Sequence, residues 1–262
     1  MRIFHIDAFA TTAFTGNPAA VCLLDDREMD AQWMQALAAE MNLSETAFVR
    51  RQGDEWSLRW FTPAVEVDLC GHATLATAHA LLEEGLLRRE ETGRFHTRSG
   101  VLTAAFDGEF IELDFPATVA QRCDAAGELI EGLGVQPMSV LRNQFDYLVE
   151  LAREEDVRAL QPDLDMLRRL PVRGVIVTSR ASIPGFDFVS RFFAPACGID
   201  EDPVCGSAHC ALGPYWAPRL NKTTMMAQQA SRRGGELRVT VAGDRVQLAG
   251  RAVTVFRGEL KV

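Results

Sequence analysis

The sequence lacks the features that mark several large classes of protein. No stretch approaches the about 20 consecutive apolar residues that a membrane-spanning helix needs, so we expect no integral membrane protein. Basic residues number 27 against 36 acidic ones, and they form no long cluster, which argues against nucleic acid as a partner. The first residues, 1–7, alternate like a strand and do not resemble a signal peptide, which favours a cytoplasmic location.

Paired cysteines at zinc-binding spacing and glycine-rich phosphate motifs are also missing. The 6 cysteines are scattered, so we expect free thiols and no metal site. No Gly-x-Gly-x-x-Gly or Walker sequence occurs, and we therefore expect no nucleotide cofactor. With 47% hydrophobic and 24% charged residues, the chain of 262 residues has the composition of an ordinary globular protein.

The chain contains an internal duplication. Residues 59–63 (RWFTP) are repeated as residues 191–195 (RFFAP), an offset of 132. Residues 70–73 (CGHA) are repeated as residues 205–208 (CGSA), an offset of 135, and two later glycine-containing blocks repeat with the same offset of 135. The offset changes once, from 132 to 135, as a short insertion would cause, and then stays at 135 through three blocks, which favours two similar halves over chance patterning.

The two halves also share a predicted order of elements. Hairpin turns are predicted at Asp107-Gly108 and Ala242-Gly243, and helices over residues 71–87 and 206–216. Antiparallel hairpins combined with few helices are typical of an α+β fold. The predicted segments are an N-terminal half (1–117), a C-terminal half (118–252) and a last strand (253–262) that could return to the first half.

Each duplicated loop leads into a helix at a Cys-Gly pair. A helix N-terminus presents free backbone N–H groups and the positive end of the helix dipole, so it favours anions such as a carboxylate. A thiol there is expected to have a lowered pKa, which makes Cys70 and Cys205 candidate catalytic residues. The small residues that would let a substrate approach the backbone are Gly71, Ala73, Gly206, Ser207 and Ala208.

Several motifs of this chain resemble the PhzF-like isomerases of phenazine biosynthesis. The matching blocks are residues 16–21 (GNPAAV), 42–48 (NLSETAF), 69–74 (LCGHAT) and 201–209 (EDPVCGSAH). They occur in the family's order over essentially the whole chain. The resemblance implies a diaminopimelate epimerase-like fold, in which two pseudo-symmetric halves each wrap a sheet around a central helix and the active site lies between the halves.

The resemblance also implies an activity. It is a cofactor-independent isomerase that moves a proton between carbons of a small carboxylic acid, such as a dihydro-hydroxyanthranilate. Glu45 would be the general acid/base, His72 and Asp202 its polar assistants, and Ser207 with the adjoining helix N-terminus would hold the substrate. A partly desolvated carboxylate suits this chemistry because one base must both take and release the proton.

Glu45 has a second interpretation. It closely follows a predicted helix that ends near Met41 and could simply cap that helix. It lies outside the duplicated blocks, since the residue at the offset of 132 is Val177.

Cys205 departs from the family's pattern, which usually has threonine there. The related epimerases and proline racemases carry cysteines at both this position and that of Cys70, where two opposed thiols epimerise an amino acid. A two-thiol racemase using Cys70 and Cys205 is therefore the second hypothesis. A third is a non-catalytic binding protein on the same fold, although the polar residues His72, Asp202 and Ser207 argue against it. The strand-rich halves also leave edges that could pair in a homodimer.

Overall fold

Strands occupy more of the chain than helices do within residues 1–25 and 28–261, the part that the computed structural model describes. No helix in those ranges is long and apolar enough to span a bilayer. Up to residue 116 the elements are β1 (Arg2–Ala8), β2 (Asn17–Leu23), α1 (Ala31–Met41), β3 (Glu45–Gln52), β4 (Glu55–Phe61), β5 (Glu66–Val67), α2 (Gly71–Glu83), β6 (Gly93–Thr97), β7 (Gly100–Asp107) and β8 (Phe110–Pro116).

The second series of elements begins at residue 121. It comprises β9 (Gln121–Arg122), α3 (Gly127–Leu133), β10 (Ser139–Arg142), β11 (Asp146–Glu150), α4 (Glu154–Ala159), α5 (Leu164–Arg168), β12 (Gly174–Arg180), β13 (Phe188–Phe193), a short 3₁₀ helix (Pro195–Cys197), α6 (Gly206–Leu220), β14 (Thr224–Gln229), β15 (Gly235–Ala242), β16 (Arg245–Gly250) and β17 (Ala252–Glu259).

The chain divides into two compact units. Unit 1 comprises residues 1–114 and 249–262, and unit 2 comprises residues 115–248. Unit 1 is therefore built from both ends of the chain, with β17 pairing antiparallel to β1. The last strand expected from the sequence includes Val262, which lies outside the described residues.

The strands of unit 1 form a mixed sheet. β1 and β2 pair antiparallel, β2 and β3 parallel, and β3 and β4 antiparallel. β4 then pairs parallel with β6, which continues through β7 to β8 in antiparallel pairs. Helix α2 packs against β1, β2, β3 and β7 and is the central helix of this unit.

Unit 2 repeats the same sequence of pairings. β10 and β11 pair antiparallel, β11 and β12 parallel, β12 and β13 antiparallel, β13 and β14 parallel, and β14 and β15 antiparallel. Helix α6 follows β13 as α2 follows β4, and it packs against β14 and β15. The mixed sheets and few helices confirm the predicted α+β class.

Helix α2 is buried on nearly all sides, as its small and apolar residues allow. Burying two threonine hydroxyls without partners would cost free energy. Each hydroxyl instead donates to a backbone carbonyl one turn earlier in the helix: Thr74 to Cys70 at 2.6 Å and Thr77 to Ala73 at 2.7 Å. The helix ends at Glu83, four residues before the predicted end, because Gly85 adopts a left-handed conformation with φ 67°.

Helix α6 continues to Leu220, beyond the predicted end near residue 216, although it contains Pro214. Proline has no N–H group, so the carbonyl of Cys210 loses its partner within the helix. The backbone N–H of Thr118 donates to that carbonyl at 3.0 Å instead. A neighbouring segment of unit 2 therefore satisfies the carbonyl that Pro214 leaves without a donor, a contact that sequence periodicity does not reveal.

Candidate active site

Glu45 is the first residue of β3 and lies opposite Ala19 of β2 in the parallel register. The preceding helix, α1, ends in Asn42, whose left-handed backbone (φ 49°) donates its N–H to Ala38. The interpretation of Glu45 as a helix cap is therefore wrong, because the strand already holds this residue. Its carboxylate is free to serve another purpose.

His72 lies against the carboxylate of Glu45. It occupies the first turn of α2, two residues after the N-cap residue Cys70, and its Nε2 lies 3.1 Å from Oε2 of Glu45. The two side chains are only 8% and 14% exposed. Cys70 completes the cluster, with its sulfur 3.5 Å from Nδ1 of His72. The strand start and the helix start thus bring together three candidate catalytic residues of unit 1.

One oxygen of Glu45 is buried without an assigned hydrogen bond. Oε2 has no hydrogen-bond partner among residues 1–25 and 28–261, although Nε2 of His72 lies 3.1 Å away in an ion-pair contact. A buried oxygen without a partner carries a desolvation cost. Such an oxygen is well suited to receive a proton or a cation from a ligand.

Asn17 and Ser44 orient the imidazole. The hydroxyl of Ser44 donates to Oδ1 of Asn17 at 3.4 Å, so the amide presents Nδ2 to Nδ1 of His72 at 3.3 Å. With Nδ1 accepting, the ring proton sits on Nε2 and faces Glu45. Both residues lie in the shared motifs, but the motifs alone did not indicate a role for either. Their only signal was that position in the motifs.

The electrostatics of His72 preserve that arrangement. Burial acts to lower the pKa of His72, but its interactions with Cys70 and with the carboxylate of Glu45 raise the pKa well above its ordinary value. Nε2 carries a proton in both the neutral tautomer set by Asn17 and the imidazolium. His72 therefore presents a donor to Glu45 in either state.

Both helix-start thiols behave contrary to expectation. Burial raises the pKa of Cys70, and the charge of Glu45 raises it further. Burial likewise raises the pKa of Cys205, with Asp202 adding to the effect and Arg173 opposing it. The predicted lowering is wrong because the loss of hydration outweighs the field of the helix N-terminus.

The corresponding loop of unit 2 has different chemistry around its cysteine. Cys205 is the N-cap of α6, and its sulfur lies 3.2 Å from the hydroxyl of Ser207, which takes the place of His72. Gln229, which is fully buried, accepts from the N–H of Cys205 at 2.9 Å and donates to the carbonyl of Asp202 at 2.6 Å. Gln229 therefore fixes the loop that carries Asp202, a function that sequence analysis missed.

His209 is a buried structural residue in the first turn of α6. Its Nδ1 lies 2.8 Å from the carbonyl of Cys205, and its Nε2 lies 3.3 Å from the hydroxyl of Ser190. Burial lowers the pKa of His209 to about 4, so the ring is neutral and Nδ1 donates to the carbonyl. The ring also stacks on Phe188 and so helps to set the start of α6.

The candidate substrate-binding residues all fall in the first turns of the two central helices. Gly71 and Ala73 belong to α2, and Gly206, Ser207 and Ala208 belong to α6. The side chains of Ala73 and Ala208 are buried, so these two positions could offer a ligand only their backbone.

The register identifies the true counterpart of Glu45. Thr46 lies opposite Phe61 and Val175 lies opposite the duplicated Phe193, so Gly174, not Val177, is the residue equivalent to Glu45. A Cβ atom on Gly174 would lie 2.7 Å from the ring of Phe192. Unit 2 therefore has no carboxylate at this position and no room for one.

This combination of fold and site defines a class. The family model for phenazine biosynthesis-like proteins matches residues 6–258, and the chain belongs to this PhzF-like family. An uncharacterized isomerase of Halalkalibacterium halodurans is 53% identical over 259 residues, covering 98% of this chain and 97% of that protein. The chain is thus an isomerase of the PhzF-like family.

Solved structures agree with the fold. A PhzF family protein from Enterococcus faecalis superposes with a TM-score of 0.95 at 43% identity, covering 100% of this chain and 99% of that one. A probable proline racemase from Agrobacterium radiobacter shares the fold alone, with a TM-score of 0.69 at 13% identity over 100% of this chain and 93% of that one. The predicted fold, related to those of racemases and epimerases, is confirmed.

Proposed function

We propose that this isomerase moves a proton between carbons of a small carboxylic acid without a cofactor, with Glu45 as the general acid/base. The observation that carries the proposal is the buried oxygen of Glu45, which has no hydrogen-bond partner in the described ranges and lies 3.1 Å from Nε2 of His72. A carbon acid releases its proton only to a well-placed base, and that base must return it to a second carbon.

The surroundings of Glu45 support both halves of this cycle. As a carboxylate, Glu45 accepts the substrate proton while Nε2–H of His72 offsets part of its negative charge. Once protonated, Glu45 holds the proton in a site where its side chain is only 14% exposed, which limits loss to water. The same oxygen can then deliver the proton to the second carbon.

The proposed roles in unit 2 concern the substrate rather than the base. Gly174 excludes a second carboxylate at the position equivalent to Glu45. Asp202 and Ser207, which the family motif supplies, would orient the polar groups of the substrate. Gln229 binds the backbone of Asp202 and of Cys205, the residue before α6, so the backbone on which Asp202 and Ser207 sit is ordered without a ligand.

The direct test is hydrogen exchange on substrate carbons. Glu45→Gln keeps the size of the side chain but removes the proton acceptor, so exchange in deuterated buffer should fall about 10²- to 10⁴-fold. The assay uses a panel of unsaturated hydroxy acids and amino acids, followed by mass spectrometry. Glu40→Gln, on the exposed surface of α1, is the matched control and should leave the rate unchanged.

The two-thiol racemase remains the second candidate because a cysteine forms the N-cap of each central helix. The raised pKa of both thiols counts against it, since a protonated thiol is a poor base. On our proposal Cys205→Thr has a mild effect on exchange. Racemisation of an amino acid that survives Glu45→Gln and disappears in Cys70→Ser and Cys205→Ser would establish the thiol mechanism instead.

A further inference from the structure

The proposed proton transfer leaves Cys70 without a function, although this buried thiol adjoins the reacting groups. Its sulfur lies 3.5 Å from Nδ1 and 4.0 Å from Nε2 of His72. One donor atom each from Glu45, Cys70 and His72 lies within 4.8 Å of the other two. A carboxylate oxygen, a ring nitrogen and a thiol sulfur are together a set of ligands typical of zinc.

The spacing of these atoms suits a tetrahedral ion. Zinc bonds of about 2.0 Å to nitrogen and oxygen and about 2.3 Å to sulfur place the ligand atoms about 3.3–3.6 Å apart. The observed separations are 3.1 Å between Nε2 and the Glu45 oxygen and 4.0 Å between Nε2 and the sulfur. The two separations from Nε2 therefore differ from the tetrahedral values by a few tenths of an ångström, and the sulfur and the Glu45 oxygen, which lie within 4.8 Å of each other, must approach by up to about 1.3 Å.

The oxygen of Glu45 provides an independent indication of a ligand. It is buried and has no directed hydrogen bond among the described residues, although it faces a donor ring at 3.1 Å. Asn17 can also support a metal-bound imidazole, because its amide, once turned, offers an oxygen to the proton on Nδ1. Histidine ligands usually have such a partner on their second nitrogen.

We propose that Glu45, Cys70 and His72 form a binding site for Zn²⁺ or the similar Cd²⁺, and that the bound ion inhibits the isomerase. On binding, the thiol of Cys70 loses its proton to solvent, Nε2 of His72 gives up its proton so that the neutral ring carries its proton on Nδ1, and the freed sulfur and nitrogen bond to the ion together with an oxygen of Glu45 and a water in the fourth position. The mixed nitrogen, oxygen and sulfur set favours these ions over Mg²⁺ and Ca²⁺, which prefer oxygen. Inhibition rests on the proposed function of Glu45, whereas binding does not.

The expectation of no metal site rested on the absence of paired cysteines at zinc-binding spacing. Here one ligand begins a strand and two flank Gly71 at the start of a helix, so the site exists only after folding. Unit 2 contains a natural comparison. Ser207 replaces His72 and Gly174 replaces Glu45, so Cys205 lacks both of the partners that Cys70 has.

Binding is tested with Co²⁺, which replaces Zn²⁺ and absorbs light when bound to a thiolate. The chelator-treated protein should bind one equivalent with a sulfur-to-cobalt absorption band, and Zn²⁺ should displace it. Cys70→Ser should abolish the band, and Glu45→Gln and His72→Asn should each weaken binding at least about tenfold. Cys205→Ser is the matched control and should keep both the band and the affinity.

The outcomes separate the two proposals. No band, or a band that survives Cys70→Ser, overturns the metal site whether or not Glu45 is the base. A misfolded Cys70→Ser variant, detected by circular dichroism, leaves the test to Glu45→Gln, where unchanged affinity overturns the site. Metal binding without inhibition overturns the inhibitory function. The proposed function itself fails only in the metal-free exchange assay, if Glu45→Gln remains fully active.

Discussion

At the scale of single residues, Asn17 sets which nitrogen of His72 carries the proton that faces Glu45. Asn17→Ala removes the donor 3.3 Å from Nδ1, so whenever the ring is neutral, as after it has given up a proton, it can adopt the other tautomer and turn an unprotonated nitrogen toward the carboxylate. We expect kcat for proton exchange to fall about 10- to 100-fold with little change in KM. Steady-state kinetics measure kcat and KM separately.

Ring-nitrogen chemical shifts of His72 provide a readout that a purely structural role would not move. They should shift toward the other tautomer in Asn17→Ala. Ser44→Ala removes only the hydroxyl that orients the amide, so its effect should have the same direction and a smaller size. A rise in KM at constant kcat would instead show that Asn17 merely binds substrate.

How far the site could be predicted depends on where its parts lie in the sequence. Cys70 and His72 lie on either side of Gly71 in one motif, and Glu45 lies in another. The motifs were therefore sufficient to identify all three residues as candidate catalytic residues. That Asn17 contacts His72 could not be predicted, because the contact joins residues 55 positions apart through the packing of β2 against α2. The predicted lowering of the thiol pKa values was wrong for a similar reason, because the burial that raises these pKa values is a property of the folded state.

At the scale of elements, the carboxylate of Glu154 ties α4 to the turn after β12. Oε2 accepts from the N–H and hydroxyl of Ser182 at 2.6 and 2.7 Å, and Oε1 accepts from Arg158. Burial acts to raise the pKa of Glu154, but these donors lower it to about 2. The side chain is only 3% exposed, so solvent screens the interactions little.

Glu154 should therefore contribute stability that depends on pH. The shift from 4.5 to about 2 corresponds to about 3 kcal/mol, present above the unfolded pKa of 4.5 and lost as the pH falls through about 2. The stability gap between wild type and Glu154→Gln should thus narrow from pH 7 to pH 2. Urea unfolding at several pH values measures it.

Glu155 supplies the control for that experiment. It is the next residue of α4 and is exposed, so Glu155→Gln should change the free energy of unfolding little at either pH. A gap between wild type and Glu154→Gln that is the same at pH 7 and pH 2 would contradict the assigned ion pair and hydrogen bonds.

The ends of the two central helices could not be predicted from the sequence pattern. The apolar periodicity of residues 71–87 does not stop at Glu83, but the left-handed Gly85 turns the chain there. Conversely, Pro214 suggests an early end to α6, yet Thr118 satisfies the carbonyl that proline leaves without a donor. In each helix a local feature of the backbone decided where the helix ends: a left-handed glycine after α2, and a hydrogen bond from another segment in α6.

At the scale of the whole molecule, duplication has kept the topology while the chemistry has diverged. The same order of parallel and antiparallel pairs occurs in both units, which is why the repeated blocks survive in the sequence at nearly constant offsets. The positions equivalent to Glu45 and His72 are Gly174 and Ser207 in unit 2. This divergence agrees with the proposed function, in which one base in one unit returns the same proton, whereas a symmetric racemase needs two bases.

The route of the chain makes the C-terminal strand part of the unit that holds Glu45. β17 pairs with β1 along the whole of that strand, and β1 pairs with β2, whose first residue is Asn17. Ending the chain at Arg251 should remove hydrogen-exchange protection from β1 and β2, and it should lower proton exchange on substrate through the displaced Asn17. The amides of β11 and β12 in unit 2 should be affected less. Ending the chain at Leu260 keeps β17 and its bond from Leu260 to Met1, and should change neither measurement. Unchanged protection of β1 after the longer deletion would mean that β2 alone holds the strand in place, and that unit 1 does not need the C-terminus to form the candidate site at Glu45.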